Sequence, residues 1–203
     1  METNFAILIA ISSIILIILL ILFCFFVIFH KDHFLKLRIF SFVLNIRKKS
    51  RTQTNLERQK IKDSLLESLT YFSKKKIGSI IVIEKDVSLN NFKDTGFKVE
   101  SDISSEFIIS IFSNKNVSFH DGALIITKNK ISSISCYLPI SKSILDIKYG
   151  ARHRSAVGIT EITDAVVFVS SETNGDISCA FNGKLFNHEK DWAKIKSSIE
   201  RLI

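Results

Sequence analysis

The stretch Ser-Ile-Ile-Val-Ile-Glu, residues 79–84, decides the fold. It is short, and its four central residues are all apolar and β-branched. A strand that is apolar on both of its faces is buried inside a sheet rather than lying at its surface. The stretch therefore predicts an interior β-strand.

The segment before this strand has the pattern of an amphipathic helix. Thr54 and Glu57 have the spacing of a capping box. Apolar residues then recur on one helical face, at Ile61, Leu65, Leu69 and Phe72. Lysines 74–76 suit the negative end of a helix dipole, so we expect the helix to end there, broken by Gly78.

The segments after the strand predict further helices and strands. A second apolar helix is expected around residues 106–112, and a final helix over residues 192–203. Residues 124–127 and 131–137 flank a short polar turn, as do residues 165–170 and 177–181, so both pairs predict hairpins. The fold class is therefore α/β, a single domain with a central mixed β-sheet flanked by helices.

The N-terminus predicts one transmembrane helix before this domain. From Phe5 to Phe29 the only polar residues are Ser12 and Ser13. A helix of that length exceeds the hydrocarbon layer of about 30 Å. A cleaved signal peptide is the competing reading, but the apolar run is too long for one and no Lys or Arg precedes it. We expect residues 1–30 to form the transmembrane helix.

Basic residues follow the predicted span and set its orientation. Residues 31–76 hold 13 Lys/Arg against 4 Asp/Glu, whereas residues 77–203 hold 15 of each. Positive charge beside a span marks its cytoplasmic side, so residues 31–53 form a basic juxtamembrane segment and residues 54–203 a cytoplasmic domain at the cell membrane. The balance of charge over residues 77–203 argues against nucleic-acid binding by this domain. The three cysteines are not spaced as metal ligands, and we expect all of them to be reduced residues of the core: Cys24, Cys136 and Cys179.

Two polar motifs interrupt the apolar pattern of the domain. One is His120-Asp121-Gly122-Ala123, before a predicted strand, and the other is Gly150-Ala151-Arg152-His153-Arg154-Ser155, before a helix-like segment. Taken alone, Asp-Gly is an ordinary turn and Arg-His-Arg an ordinary basic patch. The individual motifs therefore indicate a ligand site only weakly.

In combination, the motifs resemble the diadenylate cyclase (DAC domain) family. Asp-Gly-Ala and Arg-His-Arg are its two signature triplets, and the resemblance extends over roughly residues 56–187. Supporting matches in the same order are Cys136-Tyr137-Leu138-Pro139, Gly158-Ile159-Thr160-Glu161 and Ser171-Glu172. The single predicted span is similar to the membrane-bound branch of mycoplasma type.

The resemblance implies an enzyme that condenses two ATP molecules into cyclic di-AMP and releases two pyrophosphates. Each 3′-hydroxyl attacks the α-phosphate of the other ATP, so a two-fold homodimer is needed for catalysis. Asp121 is then the catalytic carboxylate that orients or deprotonates the hydroxyl, directly or through a metal. Arg152 and Arg154 are the catalytic cations that clamp the phosphates.

The resemblance also implies which residues hold ATP and metal. The ATP-binding residues are Gly122, Ala123, Tyr137, Leu138, His153 and Ser155. The metal ligands are His120 and Glu172, and the cofactor is Mn²⁺ or Mg²⁺. An imidazole ligand favours Mn²⁺. For the arginines the competing interpretation is a surface salt bridge, and for His153 and Tyr137 it is simple packing.

Two departures from the family pattern leave a second interpretation open. Ala151 stands where a threonine often precedes Arg-His-Arg, and the turn over residues 173–176 is one residue longer than usual. The alternative function is a catalytically weakened, membrane-tethered nucleotide-binding module. A metal-dependent phosphodiesterase is disfavoured, because the sequence has no His/Asp-rich cluster that would hold two metals. Nothing in the sequence indicates a regulatory protein.

Overall fold

The computed structural model describes residues 13–26, 55–143 and 146–203. The chain divides into two units, residues 1–54 and 55–203. In the first unit, residues 13–26 are helical and their side chains are exposed. Within the three described ranges, no helix has both the length and the apolar character needed to cross a membrane.

Several sequence predictions for the N-terminal unit fall outside these ranges. The predicted transmembrane helix, residues 1–30, is described only in part, and the basic segment, residues 31–53, is not described. Thr54, the first residue of the predicted capping box, is also outside. These three points stay predictions.

The second unit alternates helices and strands around one sheet. It starts with helical residues 55–75, called α1 here. The strands are β1 (Ser79–Glu84), β2 (Phe97–Asp102), β3 (Ala123–Thr127), β4 (Lys130–Cys136), β5 (Val166–Ser170), β6 (Ile177–Phe181) and β7 (Lys184–Glu189). The other helices are α2 (Asn90–Lys93), α3 (Ser105–Ser113), a 3₁₀ turn (Ser118–His120), α4 (Ala151–Ile162) and α5 (Trp192–Leu202).

All seven strands form one mixed sheet in the order β2-β4-β3-β1-β5-β6-β7. Strand β1 lies in the middle, parallel to β3 and antiparallel to β5. The remaining neighbours in the sheet are antiparallel. The prediction from residues 79–84 is therefore confirmed, as is the α/β class with a mixed sheet.

Helices cover both faces of the sheet, because its central strands are apolar on both sides. Ile81 and Ile83 of β1 pack into a core shared with α1, α3 and α5. Ile80 and Val82 point to the other face, where they join a smaller core with Ala156 and Ile159 of α4. Strand β1 therefore packs against helices on both of its faces, and the domain has three layers: α1, α3 and α5, then the sheet, then α4.

The predicted helices and hairpins are confirmed, but two strands escaped prediction. The predicted hairpins correspond to β3–β4 and β5–β6, and the predicted helices to α1, α3 and α5. Strands β2 and β7, by contrast, are the two edges of the sheet. Their sequences, Phe-Lys-Val-Glu-Ser-Asp and Lys-Leu-Phe-Asn-His-Glu, carry the charges that protect edge strands from aggregation and that hide strand periodicity.

The end of α1 corrects the role predicted for Gly78. The helix ends at residue 75, and Lys76 adopts the left-handed conformation with φ 53°. The Ile77 amide donates to the Phe72 carbonyl at 2.9 Å, as in a Schellman cap. Lys76 therefore ends the helix, and the prediction that Gly78 breaks it was wrong.

The cysteine prediction is confirmed for two of the three thiols. All three are free; Cys136 and Cys179 are buried in the sheet, whereas Cys24 is exposed. Burial raises the pKa of the Cys136 thiol to about 11 and that of Cys179 to about 12. Both stay protonated at neutral pH and act as small apolar core residues.

Candidate active site

A cleft of about 440 Å³ opens at one end of the sheet. The strands bring four segments to it: the start of β1, the turn before β3, the residues after β4 and the residues after β5. The N-terminus of α4 forms the opposite wall. A cavity of this volume is within the usual range for small-molecule sites.

The turn before β3 places the predicted catalytic carboxylate at the rim of the cleft. The Asp121 side chain is 71% exposed, and its backbone carbonyl accepts a hydrogen bond of 2.5 Å from the Ser135 hydroxyl. Gly122 has φ +98°, and a Cβ there would meet the Ser135 carbonyl carbon at 2.7 Å. Only glycine fits this turn, which holds Asp121 and Ala123 against β4.

The N-terminus of α4 faces the cleft with the Arg-His-Arg motif in its first turn. Gly150 is the N-cap and supplies no side-chain cap, while Ala151, Arg152 and Ser155 line the cleft. Unpaired amides at a helix N-terminus favour bound phosphate. The motif was predicted to precede a helix-like segment, but it forms the start of α4 itself, with Ser155 in the cleft lining.

Arg152 forms an ion pair across the cleft with the predicted metal ligand Glu172. The distance from Nη1 to Oε2 is 3.1 Å, and the two side chains are 26% and 62% exposed. Gly78 lies directly beneath the pair, since a Cβ there would be 2.6 Å from Nη1 and 2.9 Å from Oε2. The sequence analysis gave a salt bridge as the competing interpretation for Arg152 but did not identify Glu172 as the partner or Gly78 as the residue beneath it. No local signal marks it, because Gly78 and Arg152 lie far apart in the chain.

His153 is buried at the wall of the cleft. It is 7% exposed, and its ring lies 5.1 Å from that of Tyr149. Burial and, next, the positive charge of Arg152 hold the pKa of His153 below its usual value. The imidazole is therefore neutral at pH 7, so it can serve a ligand as a hydrogen-bonding group without adding charge.

Arg154 does not line the cleft with Arg152. Residues two positions apart on an α-helix are separated by about 200° around its axis, so the two arginines project from opposite sides of α4. Both are half-buried. The backbone carbonyl of Arg154 accepts from the Ser141 amide at 3.1 Å. Its role as a phosphate clamp stays a prediction.

The residues after β4 form an apolar wall suited to a planar ring. Tyr137 is 73% exposed within this wall, and Leu138 and Ile140 extend the apolar surface. The Thr95 hydroxyl accepts from the Tyr137 amide at 2.9 Å and fixes the backbone at this point. An exposed tyrosine ring beside aliphatic residues is a stacking surface for a nucleobase. Simple packing, the competing interpretation for Tyr137, does not fit this exposure.

A strap from Pro139 to Ser143 connects this apolar wall to α4. A Cβ at Gly158 would meet the Ser141 amide nitrogen at 2.7 Å, so glycine lets the strap lie on the helix. Glu161 accepts from the hydroxyls of Ser141, at 2.6 Å, and Ser143, at 3.2 Å. The wall contributed by β4 and the helix N-terminus are therefore held in a fixed spacing. The Gly-Ile-Thr-Glu match in the sequence corresponds to this contact.

The two predicted metal ligands are separated: Glu172 lines the cleft, whereas His120 lies just outside its lining, next to Asp121. The His120 Nδ1 is 2.7 Å from the Val117 carbonyl, which leaves Nε2 facing the Asp121 carboxylate at 3.5 Å. A ring nitrogen fixed by a backbone carbonyl is the usual arrangement around a ligating histidine. Within the described ranges, no three or more His, Cys, Asp or Glu side chains lie close enough together to hold a metal ion by themselves. The residues therefore fit a cation held by His120 and Asp121, with the remaining ligands coming from the substrate.

Comparison with known proteins identifies close relatives of the domain. Residues 66–185 match the profile of the family described as DAC, DisA bacterial checkpoint controller nucleotide-binding. A diadenylate cyclase of Mycoplasma genitalium is 46% identical over 134 residues, which are 66% of this chain and 67% of that protein. The cyclic di-AMP synthase CdaA of Bacillus subtilis is 39% identical over 139 residues, which are 67% of this chain and 50% of that protein.

A solved structure supports the same relationship. The crystal structure of a double-cysteine mutant of DacA from Staphylococcus aureus has a TM-score of 0.67 and 38% sequence identity. The similarity covers 70% of this chain and 95% of that one. The chain thus spans between half and two thirds of the two curated relatives, but nearly all of the solved domain.

Proposed function

The chain belongs to the DAC family, and on that premise we propose that it is a diadenylate cyclase that condenses two ATP molecules into cyclic di-AMP and releases two pyrophosphates. One observation carries the proposal. A single cleft combines the exposed carboxylate of Asp121, the guanidinium of Arg152, the Tyr137 ring and the N-terminus of α4. These are the groups needed to activate a hydroxyl, bind a triphosphate and stack an adenine.

Each residue has a distinct part in this reaction. Asp121 accepts or orients the proton of the ribose 3′-hydroxyl at the open rim of the cleft. Arg152 and the first amides of α4 bind the triphosphate. Tyr137 and Leu138 hold the base, while Ser155 and neutral His153 hydrogen-bond the phosphates from the wall. Gly122 and Ala123 allow the nucleotide to approach the β3 turn.

Catalysis requires a homodimer, because each ATP supplies the nucleophile for the other. The rim position of Asp121 supports this proposal, since its side chain is 71% exposed and therefore open to a ligand held by a second copy. One protomer alone has only half of the reacting groups. Dilution should therefore lower activity per protomer.

The proposed cofactor is Mn²⁺ or Mg²⁺, bound at His120 and Asp121 together with phosphate oxygens. When bound, the cation polarises the phosphate under attack. Nitrogen in the ligand set favours Mn²⁺ over Mg²⁺. Glu172, predicted as a second ligand, instead contacts Arg152, so in one protomer its proposed role is to orient that guanidinium.

We also propose that residues 1–30 anchor the enzyme in the cell membrane as a single span, with the catalytic domain cytoplasmic. The support comes from the sequence, in which 25 residues from Phe5 to Phe29 are almost wholly apolar and basic residues follow them. The similarity to a Mycoplasma genitalium diadenylate cyclase supports the assignment to the branch of mycoplasma type. Fractionating cells into membrane and soluble parts tests the anchor.

Product identification tests the function. The full chain is incubated with ATP and Mn²⁺ or Mg²⁺, and the products are analysed by mass spectrometry. Asp121→Asn should bind ATP yet form no cyclic di-AMP, because the amide cannot accept the hydroxyl proton. Asp102→Asn is the matched control, since Asp102 is 79% exposed and lies on the edge strand β2.

The result also separates the alternative function. A weakened nucleotide-binding module would bind ATP without forming cyclic product in the unmutated chain. The support for this alternative is Ala151, which lacks the hydroxyl that is common at this position in the family. Cyclic product from Asp121→Asn at the unmutated rate would refute the assignment of the carboxylate.

A further inference from the structure

Lys148 is a cation of the cleft that no motif singled out. It lies two residues before the N-cap of α4, and its side chain lines the same cavity as Arg152. We propose that Lys148 binds the pyrophosphate portion of ATP, the part that leaves the reaction. The proposal rests on the proposed function and adds a residue that distinguishes triphosphate from monophosphate.

The charge balance of the cleft calls for such a residue. Among the described residues that line it, the charged side chains are Lys148, Arg152, Asp121 and Glu172. Arg152 already has a carboxylate partner at 3.1 Å. A triphosphate brings several negative charges into a cleft that is otherwise neutral. Of the two cations, Lys148 has the weaker internal partner and is the more available to phosphate.

The contacts of Lys148 hold it near the helix N-terminus without binding it tightly. Its ammonium is 3.6 Å from Asp146, and the two side chains are 60% and 62% exposed. Exposed pairs of this kind contribute little free energy and exchange readily. The ammonium also lies 5.1 Å from the centroid of the Tyr149 ring. A phosphate oxygen can thus replace Asp146 while the aromatic contact remains.

The backbone around Lys148 fixes its position relative to α4. The Tyr149 amide donates to the Asp146 carbonyl at 3.0 Å, which makes a tight turn immediately before Gly150. The Tyr149 ring in turn lies 5.1 Å from the ring of His153, in the first turn of the helix. Lys148 therefore stands beside the amides that favour phosphate. Ala151, the next residue after the cap, has no hydroxyl to contribute.

The two walls of the cleft indicate which phosphate Lys148 contacts. The α-phosphate must lie toward the partner protomer and toward Asp121, where the incoming hydroxyl is activated. Asp121 is on the turn before β3, whereas Lys148 is on the loop before α4. The remaining two phosphates extend along the α4 wall. Lys148 thus binds the charge of the β- and γ-phosphates.

Comparing ATP with AMP tests this assignment. The full chain, as wild type, Lys148→Ala, Lys148→Gln and Lys148→Arg, is titrated calorimetrically with a non-hydrolysable ATP analogue and with AMP, each with Mg²⁺. Lys98→Ala is the matched control, since Lys98 also forms an exposed ion pair, with Asp94, and lies outside the cleft lining. We expect the alanine and glutamine variants to weaken analogue binding about fivefold, as for one exposed ion pair. AMP binding should change less than twofold in every variant.

Two results would overturn the proposal. One is an unchanged dissociation constant for the analogue in both neutral variants. The other is equal weakening for the analogue and AMP, which would indicate a structural effect of the loop. Retained affinity in Lys148→Arg supports the role of charge. Failure of this proposal can be distinguished from failure of the proposed function. Absence of cyclic di-AMP from the wild type would refute the cyclase activity, whereas the role of Lys148 is decided by these dissociation constants.

Discussion

Replacing Gly78 with alanine should impair catalysis while leaving the fold intact. A Cβ at this position would stand 2.6 Å from Nη1 of Arg152, which is 0.8 Å inside the 3.4 Å at which ordinary contact begins. Gly78 is not among the residues with positive φ, so alanine causes no backbone strain there. The neighbours that must move are the ends of two flexible side chains, Arg152 and Glu172.

The magnitude follows from these distances. Alanine removes backbone freedom from the unfolded chain, so the free energy of unfolding should change by less than about 1 kcal/mol. The guanidinium, however, must shift by most of an ångström. A displacement of about 1 Å in a group that positions substrate costs up to about 100-fold in rate. We expect kcat/KM for cyclic di-AMP synthesis to fall between about 10-fold and 100-fold.

A double-mutant cycle identifies the cause. Thermal unfolding and steady-state cyclase activity are measured for Gly78→Ala, Arg152→Ala and the double variant. If the methyl group acts by moving the guanidinium, the double variant is no slower than Arg152→Ala. Wild-type activity in Gly78→Ala, or an equal further loss in the Arg152→Ala background, would show that the reasoning from this contact is incorrect.

Three further changes probe other parts of the cleft. Ala151→Thr supplies a hydroxyl at the first residue of α4 and should tighten ATP binding about threefold, measured by calorimetry; no gain would exclude a phosphate contact there. His120→Ala should lower the ratio of Mn²⁺-supported to Mg²⁺-supported turnover, and an unchanged ratio would remove His120 as a ligand. Burial and, next, the charge of Arg152 lower the pKa of His153 in the folded protein. The free energy of unfolding is therefore highest above pH of about 6.5, where the imidazole is neutral in both the folded and the unfolded state. It falls as the pH drops toward the folded-state pKa, because the unfolded chain takes up the proton first. Chemical denaturation from pH 7 to 5 should show a slope that His153→Gln reduces; identical slopes would contradict the burial argument.

The sequence predicted the interior of the fold better than its edges. Residues 79–84 are apolar on both faces because helices cover both sides of β1, so burial and composition agree. Strands β2 and β7 have one neighbour each, and they carry charged and polar residues among few apolar ones. Their pairing is decided by the adjacent strands β4 and β6, which a local pattern does not reveal.

The site was predictable where function requires a particular side chain. Asp121, Arg152 and Tyr137 line one cleft, as expected from their motifs. Contacts between distant segments were not predictable. The pairing of Arg152 with Glu172 depends on how α4 and the end of β5 pack together. The separation of Arg152 from Arg154 depends on the start of α4, because residues two positions apart lie on opposite sides of a helix.

The end of α1 packs closely against the loop that carries Glu172. Gly175 has φ +82°, and a Cβ there would overlap the backbone of Ser73, with the carbonyl carbon at 3.2 Å. Glu172 lies three residues earlier on the same loop and contacts Arg152. We therefore expect a shift of the end of α1 to displace this loop and, with it, the carboxylate that orients the Arg152 guanidinium at the phosphate-binding wall.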